Sequence, residues 1–325
     1  MKLNRVLLLT LIAAGAITAG ATGAALAQDK VKVGVNPVSA SLPLYVAIER
    51  GFFKDFNIEI ENIRLIGGPA NVAALIGNQI EAASNMVTIE GINANIKKPG
   101  SAMYIAINSQ NAKYHMEQFV ARRDSGISKI ADFKGKKLLV APGPANVTMA
   151  KAVLTANGVK EGEYTLDQLD VGQHVGAIAA GTFDGGYSLE PAVSVMKKNN
   201  VATVVEAGLI AKYVLGDPNA NGWVAGTVVT ADFVAKRPDV AKRFAQGWDK
   251  AIKFISEKPD EARKHLVGNT LTPPDVVELV PLVGFTMTND LTPQNVAEFQ
   301  KFIDFSVSTG TLSEKVDVNK FLQRF

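Results

Sequence analysis

Gly68-Pro69-Ala70-Asn71-Val72 recurs letter for letter as Gly143-Pro144-Ala145-Asn146-Val147. A strand-like run precedes each copy, Ile63-Arg64-Leu65-Ile66 in one case and Lys137-Leu138-Leu139-Val140 in the other. Apolar residues at helical spacing follow each: Val72, Leu75 and Ile76, then Val147, Ala150 and Leu154. Glycine suits a helix cap and proline the first helical position, where its fixed φ fits and its missing N–H is not needed. Both copies therefore read as strand, tight turn and helix, with free N–H groups pointing out of the turn. Such an end carries a partial positive charge and unsatisfied donors, suited to an anionic or carbonyl-bearing ligand. For either copy alone, an ordinary turn in an alanine-rich chain explains the letters equally well.

Outward from these turns, strand and helix patterns alternate. Strand-like 31–35 leads through a loop to a helix over 42–50 that stops at Gly51. Extended 58–65, the first repeat helix, a short strand over 80–83, a helix over 88–97 and a strand over 103–107 follow. After extended 118–121 the pattern restarts, with a short helix over 130–133, a strand over 138–140 and the second repeat helix. A helix over 175–180 stops at Gly181, and a short strand and bend cover 183–187. Asp184 there mirrors Glu81 in the first half, each after a helix, a glycine and an apolar residue. This is similarity of architecture without a clean repeat. Segments 201–205 and 223–230 read as extended, and the chain from 232 onward as mostly helical, with starts near Pro238, Pro259, Pro273 and Pro293. Alternation at this spacing predicts α/β units with largely parallel sheets. Two units, the second inserted in the first, would be joined by extended crossings near 118–122 and 223–227. Two crossings make a hinge, and the two turns would face each other across the cleft.

Residues 1–27 read as a signal peptide, with Lys2 and Arg5 as the charged region, an apolar run over 6–17, and Ala25-Leu26-Ala27 as the cleavage site. The apolar run is short for a membrane span. Without Lys2 and Arg5 the chain holds 32 basic against 31 acidic residues, near +1. With no basic run and no aromatic-basic interleaving, nucleic acid is not expected as a partner. The chain has no cysteine, so disulfides and thiolate metal sites are excluded too. A soluble protein exported to a periplasm is expected.

The chain resembles the periplasmic substrate-binding proteins of ABC transporters for nitrate, aliphatic sulfonates, taurine and thiamine-precursor pyrimidines. The residues that carry the resemblance are Pro43-Leu44-Tyr45-Val46-Ala47, Gly51-Phe52-Phe53, and Gly67-Gly68 leading to Ala74-Leu75-Ile76-Gly77. Ile130-Ala131-Asp132-Phe133-Lys134-Gly135, Gly181-Thr182-Phe183-Asp184 and Glu190-Pro191 extend it across the mature chain. It implies an α/β, two-lobed class II periplasmic binding protein with two extended hinge crossings and a helical C-terminal region. Residues 28–120 and 225–325 would form the first lobe and 121–224 the second. The implied function is to close over a small organic ligand, sulfonate- or carboxylate-like first, and deliver it to an inner-membrane permease with its ATPase. A thiamine-precursor pyrimidine or other flat heterocycle is the rival ligand, and a periplasmic sensor receptor the rival role. The protein is expected to act as a monomer, without cofactor or metal.

Matched position by position, the resemblance lines the cleft with Ser39 and Ser41 in the first loop and Gly68 and Asn71 in the second. Asn85 and Thr88 follow the third strand; Pro144, Asn146 and Thr148 belong to the second lobe, with Tyr187 and Glu190 after its last short strand. Apart from Arg64 near the first turn, these loops hold no lysine or arginine, which speaks against a bare anion such as nitrate. Tyr45, on a helix face with Ile48, reads as core, Tyr187 as a ligand contact, and Trp223 as either. Glu190 fits a ligand amine or hydroxyl and equally a structural tie at the hinge; Asp184 reads as structural. Among the three histidines, His115 is retained as a candidate contact, and no His-x-x-x-His spacing supports a metal. An enzyme is not expected. There is no Gly-x-Ser-x-Gly elbow, Walker loop or Gly-x-Gly-x-x-Gly, and the branch of the resembling superfamily that makes the thiamine pyrimidine uses a cysteine-rich iron site.

Overall fold

The computed structural model describes residues 27–325, so the signal peptide expected over 1–27 lies outside the described residues except for Ala27. Strands β1 (Asp29–Val35), β2 (Ile58–Arg64), β3 (Ala82–Val87) and β4 (Met103–Gln110) come first. Then follow β5 (Glu117–Arg122), β6 (Lys137–Val140), β7 (Thr165–Gln168), β8 (Gly185–Leu189) and β9 (Ala202–Glu206), and finally β10 (Gly222–Val229) and β11 (Gly284–Met287). They form two sheets, ordered β11-β4-β10-β3-β1-β2 and β7-β6-β8-β5-β9. Both follow one plan. A central strand pairs in parallel on each side, β1 with β2 and β3, and β6 with β7 and β8. An antiparallel strand then joins the third, β10 on β3 and β5 on β8.

The acid noted in both halves has a physical account in this plan. Glu81, just before β3, accepts the backbone N–H of Lys32 in β1 at 3.0 Å. Asp184, just before β8, accepts that of Lys137 at the start of β6 at 2.9 Å. Each carboxylate fastens the third strand of its sheet to the central one.

The helices are α1 (Leu42–Glu49), α2 (Gly68–Ile76), α3 (Thr88–Lys97), α4 (Pro144–Ala156), α5 (Val171–Ala179) and α6 (Ala192–Lys198). The C-terminal region adds α7 (Ala231–Lys236), α8 (Pro238–Glu257), α9 (Pro259–Arg263) and α10 (Pro293–Ser308). The repeated letters do not mark equivalent places. The first copy opens α2 after β2, whereas the second opens α4 after β6, the counterpart of β1.

The expected crossings also shift. Residues 118–122 and 223–227 lie within β5 and β10, each wholly inside one sheet, because their backbone groups are paired along their length. The chain passes between the sheets in 111–116 and 207–221 instead. The helical C-terminal region is present, with β11 as an added edge strand antiparallel to β4. Its long helix α8 turns an apolar stripe onto α1 and the turn after it, where the Phe53 and Phe244 rings stack 5.3 Å apart and Trp248 lies 5.7 Å from Phe244. Burying each such side chain contributes about 1.5–3 kcal/mol, which anchors the tail to the first sheet.

Candidate ligand-binding cleft

A cavity of about 410 Å³ opens at the carboxyl ends of the parallel strands of both sheets. This is where open α/β sheets generally bind ligands, because the loops there are free of pairing duties. The first sheet supplies Asn36 and Ala40 after β1, and Arg64, Gly67 and Gly68 at and beyond the end of β2. The second supplies Ala141 and Pro142 after β6, Asp170 to Gln173 after β7, and Pro191 and Ala192 after β8. Polar side chains reach it from Asn85, Asn108, Gln110 and Glu117, and Asn108 Nδ2 donates to Asn85 Oδ1 at 2.9 Å. Val38, Ile66, Val87, Met116, Val171 and Leu189 give it aliphatic walls. No aromatic side chain, serine, threonine, histidine or lysine lines it among the described residues.

The two repeated turns meet beside this cavity. In each, the asparagine ties the turn to itself: Asn71 Nδ2 donates to Gly67 O at 2.9 Å, and Asn146 Nδ2 to Pro142 O at 2.8 Å. Between the turns lies Glu90 of α3. A Cβ on Gly68 would fall 1.4 Å from Glu90 Oε2, and one on Gly143 2.5 Å from Glu90 Oε1. Only glycine admits the carboxyl at either place, so the repeated glycines serve one buried acid from opposite sheets. Glu90 is 5% exposed, and neither oxygen has a hydrogen-bond partner. Burial pushes its carboxyl up to about 7.

Of the thirteen residues expected at the site, Gly68, Asn85 and Asn146 line the cavity. The others point elsewhere, some because their polar side chains bond nearby backbone groups and some because they are packed in the cores. Ser39 donates to Met116 Sδ at 3.3 Å, and Ser41 bonds Asn36 O and Ser84 Oγ. Asn71 is buried in its own turn, and Thr88 donates to the carbonyls of Trp223 and Val224. Pro144 is exposed at the start of α4, while Thr148 Oγ1 accepts from Thr311 Oγ1 at 2.9 Å, linking α4 to the chain beyond α10. His115 bonds Ala112 O at 2.6 Å in the passage between the sheets. Tyr187 is fully buried edge-on to Phe119, and Trp223 is buried with its indole N–H donating to Glu298 at 3.4 Å. Tyr45 is core as expected. Glu190 accepts from Gln118 Nε2 at 2.6 Å and from the backbone N–H of Ser194 at 3.1 Å, capping α6. Burial still pushes its carboxyl up to about 7.

The sequence reading missed the start of α5. It placed that helix from 175, whereas Asp170 to Gln173 form the turn and first residues that face the cavity. Asp170, an N-cap residue type just before Val171, was the available signal. His174 holds this end in place, bonding Ser188 Oγ and Leu169 O, both at 2.8 Å, and its burial lowers the imidazole to about 4. Glu117, Gln110 and Asn108 were missed because they sit on strands, where alternation marks them only as polar.

Comparisons with known proteins place this architecture. A Bacillus subtilis (strain 168) protein named for binding aliphatic sulfonates is 24% identical over 98% of this chain and 93% of its own length. The taurine-binding periplasmic protein of Escherichia coli (strain K12) is 25% identical over 71% of this chain and 68% of its own. The alkanesulfonate-binding protein SsuA from Xanthomonas axonopodis pv. citri, solved bound to MOPS, shares the fold. It superposes with a TM-score of 0.73 at 17% identity, covering 92% of this chain and 100% of SsuA. The model of the family described as NMT1/THI5 like matches residues 38–262, and the chain belongs to that family.

Proposed function

We propose that the protein captures a small alkyl-bearing oxyanion, a sulfonate or carboxylate, between its two sheets and delivers it to an inner-membrane ABC permease with its ATPase. The observation that carries this reading is the meeting of helix N-termini from both sheets at one cavity, α2 at Gly67 and Gly68 and α5 at Asp170 to Gln173. Free N–H groups and the helix dipole favour a negative group there, by about 0.3–1 kcal/mol per helix and more when partly buried. Arg64 adds the cationic side chain of the lining, and the aliphatic walls suit an alkyl tail. At about 30 Å³ per water, the space is on the order of a dozen waters, far more than a bare inorganic anion fills. The sulfonate- and taurine-binding relatives support the same chemistry.

A flat heterocycle finds no stacking partner among the described residues of the lining, since Tyr45, Tyr187 and Trp223 are committed to the cores. In this reading the two lobes, one built on each sheet, close as a periplasmic monomer about the passages at 111–116 and 207–221, a few residues away from the expected bounds at 120 and 224. A thermal-shift panel on the refolded mature chain tests it. Alkanesulfonates or alkyl carboxylates at 100 times their dissociation constant should add about 2.7 kcal/mol of stability. Nitrate and aminopyrimidines should add none. Stabilisation by the heterocycles alone would overturn the reading.

A further inference from the structure

Glu90, in the first turn of α3, packs against the helix end that the first sheet offers to a ligand. Gly68 both lines the cavity and confines Glu90 Oε2, while Gly143, from the turn after β6, closes on Oε1. The carboxyl is therefore buried where the two sheets meet, and an oxyanion held at Gly67 and Gly68 would stand one residue away from it. Among the elements packed on α3, helix α2 and strands β3 and β10 contain no titratable residue. Helix α4 brings only Lys151, two turns along and paired with Glu161. Strand β4 brings only Tyr104, a buried phenol that donates to Val87 O at 3.2 Å. The ends of α2 and α4 favour a carboxylate, but neither Glu90 oxygen receives an N–H, so burial wins and pushes the carboxyl up to about 7.

Two changes on binding act on this carboxyl in the same direction. An oxyanion at the α2 end repels a second negative charge beside it and competes for the same helix dipole. Closing the turn of the second sheet over it removes the water that would hydrate a carboxylate. We propose that Glu90 links capture to protonation: the cleft closes on an oxyanion with the Glu90 carboxyl neutral, taking up a proton where the open protein holds a carboxylate. This rests on the oxyanion reading above and adds how that site is regulated. Linkage makes the effect reciprocal, since a proton on Glu90 favours the closed, ligand-bound state as much as that state favours the proton. Acidification strengthens capture, and a rise in pH above 7 loosens it.

Isothermal titration of the refolded mature chain with ethanesulfonate, which stays ionised throughout, tests the link. The dissociation constant should rise about tenfold between pH 6 and pH 8. Titration at pH 7.5 in two buffers of different ionisation enthalpy should show proton uptake on binding. In Glu90→Gln ethanesulfonate should still bind, with both the pH dependence and the uptake largely gone. Glu90→Met, apolar and similar in length, gives the same readout if the amide disturbs folding. Glu117 lines the cavity itself, with its carboxyl met by the Gln110 side chain and also raised to about 7, so Glu117→Gln is titrated in parallel. Uptake should persist there. Binding without uptake in the parent, uptake unchanged in Glu90→Gln, or uptake lost only in Glu117→Gln overturns the assignment and leaves the oxyanion reading standing. No binding of ethanesulfonate at any pH overturns both.

Discussion

Gly143→Ala is expected to destabilise the protein by about 2–4 kcal/mol and to weaken ligand capture. Two costs combine. Gly143 sits at φ 114° and ψ 148°, a region that residues with a side chain rarely enter, and forcing one there costs about 1–3 kcal/mol. The added methyl would also meet Glu90 Oε1 at 2.5 Å. Glu90 has little room to retreat, because Gly68 confines its other oxygen. Gly143 belongs to the turn after β6 and Glu90 to the helix after β3, so the clash falls between the two sheets. Relief by parting the sheets would loosen the cleft they enclose. Glu90→Ala removes the steric part and leaves the backbone part, so the double variant should be less destabilised than the two single effects predict by addition. Chemical denaturation of the four proteins measures this. A Gly143→Ala protein within about 0.5 kcal/mol of the parent would show that Glu90 does not fill the space between the turns.

The ligand-free protein is expected to lose several kcal/mol of stability between pH 5 and pH 8. Glu90, Glu117 and Glu190 are each pushed up to about 7 by burial, from an ordinary value of 4.5. An acid whose folded value is raised keeps more protons folded than unfolded. Its contribution is fully present below 4.5 and is lost as pH rises through 7, by up to about 1.4 kcal/mol per pH unit for each group. Buried His174, lowered from 6.5 to about 4, works the other way and offsets one of the three acids as pH rises toward 6.5, leaving a net fall. Exposed acids held down by their partners oppose the trend too. Hydrogen bonds from the 128 and 129 backbone hold Asp132 below its ordinary value, and Lys134 does so for Glu163. Those contributions fade only as pH falls through the lowered values, well below the window of the buried three. Melting temperature should therefore peak near pH 5 and decline toward pH 8, and Glu90→Gln should flatten part of the decline. A melting temperature that climbs steadily from pH 5 to pH 8 would mean these carboxyls are hydrated.

The plan of two α/β units was legible because glycine-stopped helices and apolar runs are local signals. The helix over 88–97 was placed to the residue. What local signals do not carry is partner identity. The five repeated letters gave a correct local structure twice, yet their meaning came from Glu90, which no pattern near it announces. Asn71 and Asn146 read as ligand donors because amides suit anions; in the structure both close their own turns. Tyr187 and Trp223 lie next to the cleft in sequence, but strand alternation turned them into the core. The cleft's own polar set, Asn108, Gln110, Glu117 and Asp170, comes from strand ends and a helix start that periodicity resolves poorly. Glu81 and Asp184 show the reverse case: the sequence placed them as counterparts, and only the strand register explained them.

The central claim is a cleft that grips an oxyanion at helix ends and covers an alkyl tail with aliphatic walls. Isothermal titration of the refolded mature chain with straight-chain sulfonates from methane- to hexanesulfonate tests it most directly. Each buried methylene contributes about 0.8 kcal/mol, roughly a fourfold gain in affinity per carbon. The account predicts that gain for the first several carbons and a plateau once the cavity is full. An affinity independent of chain length, or no binding along the series, would contradict it.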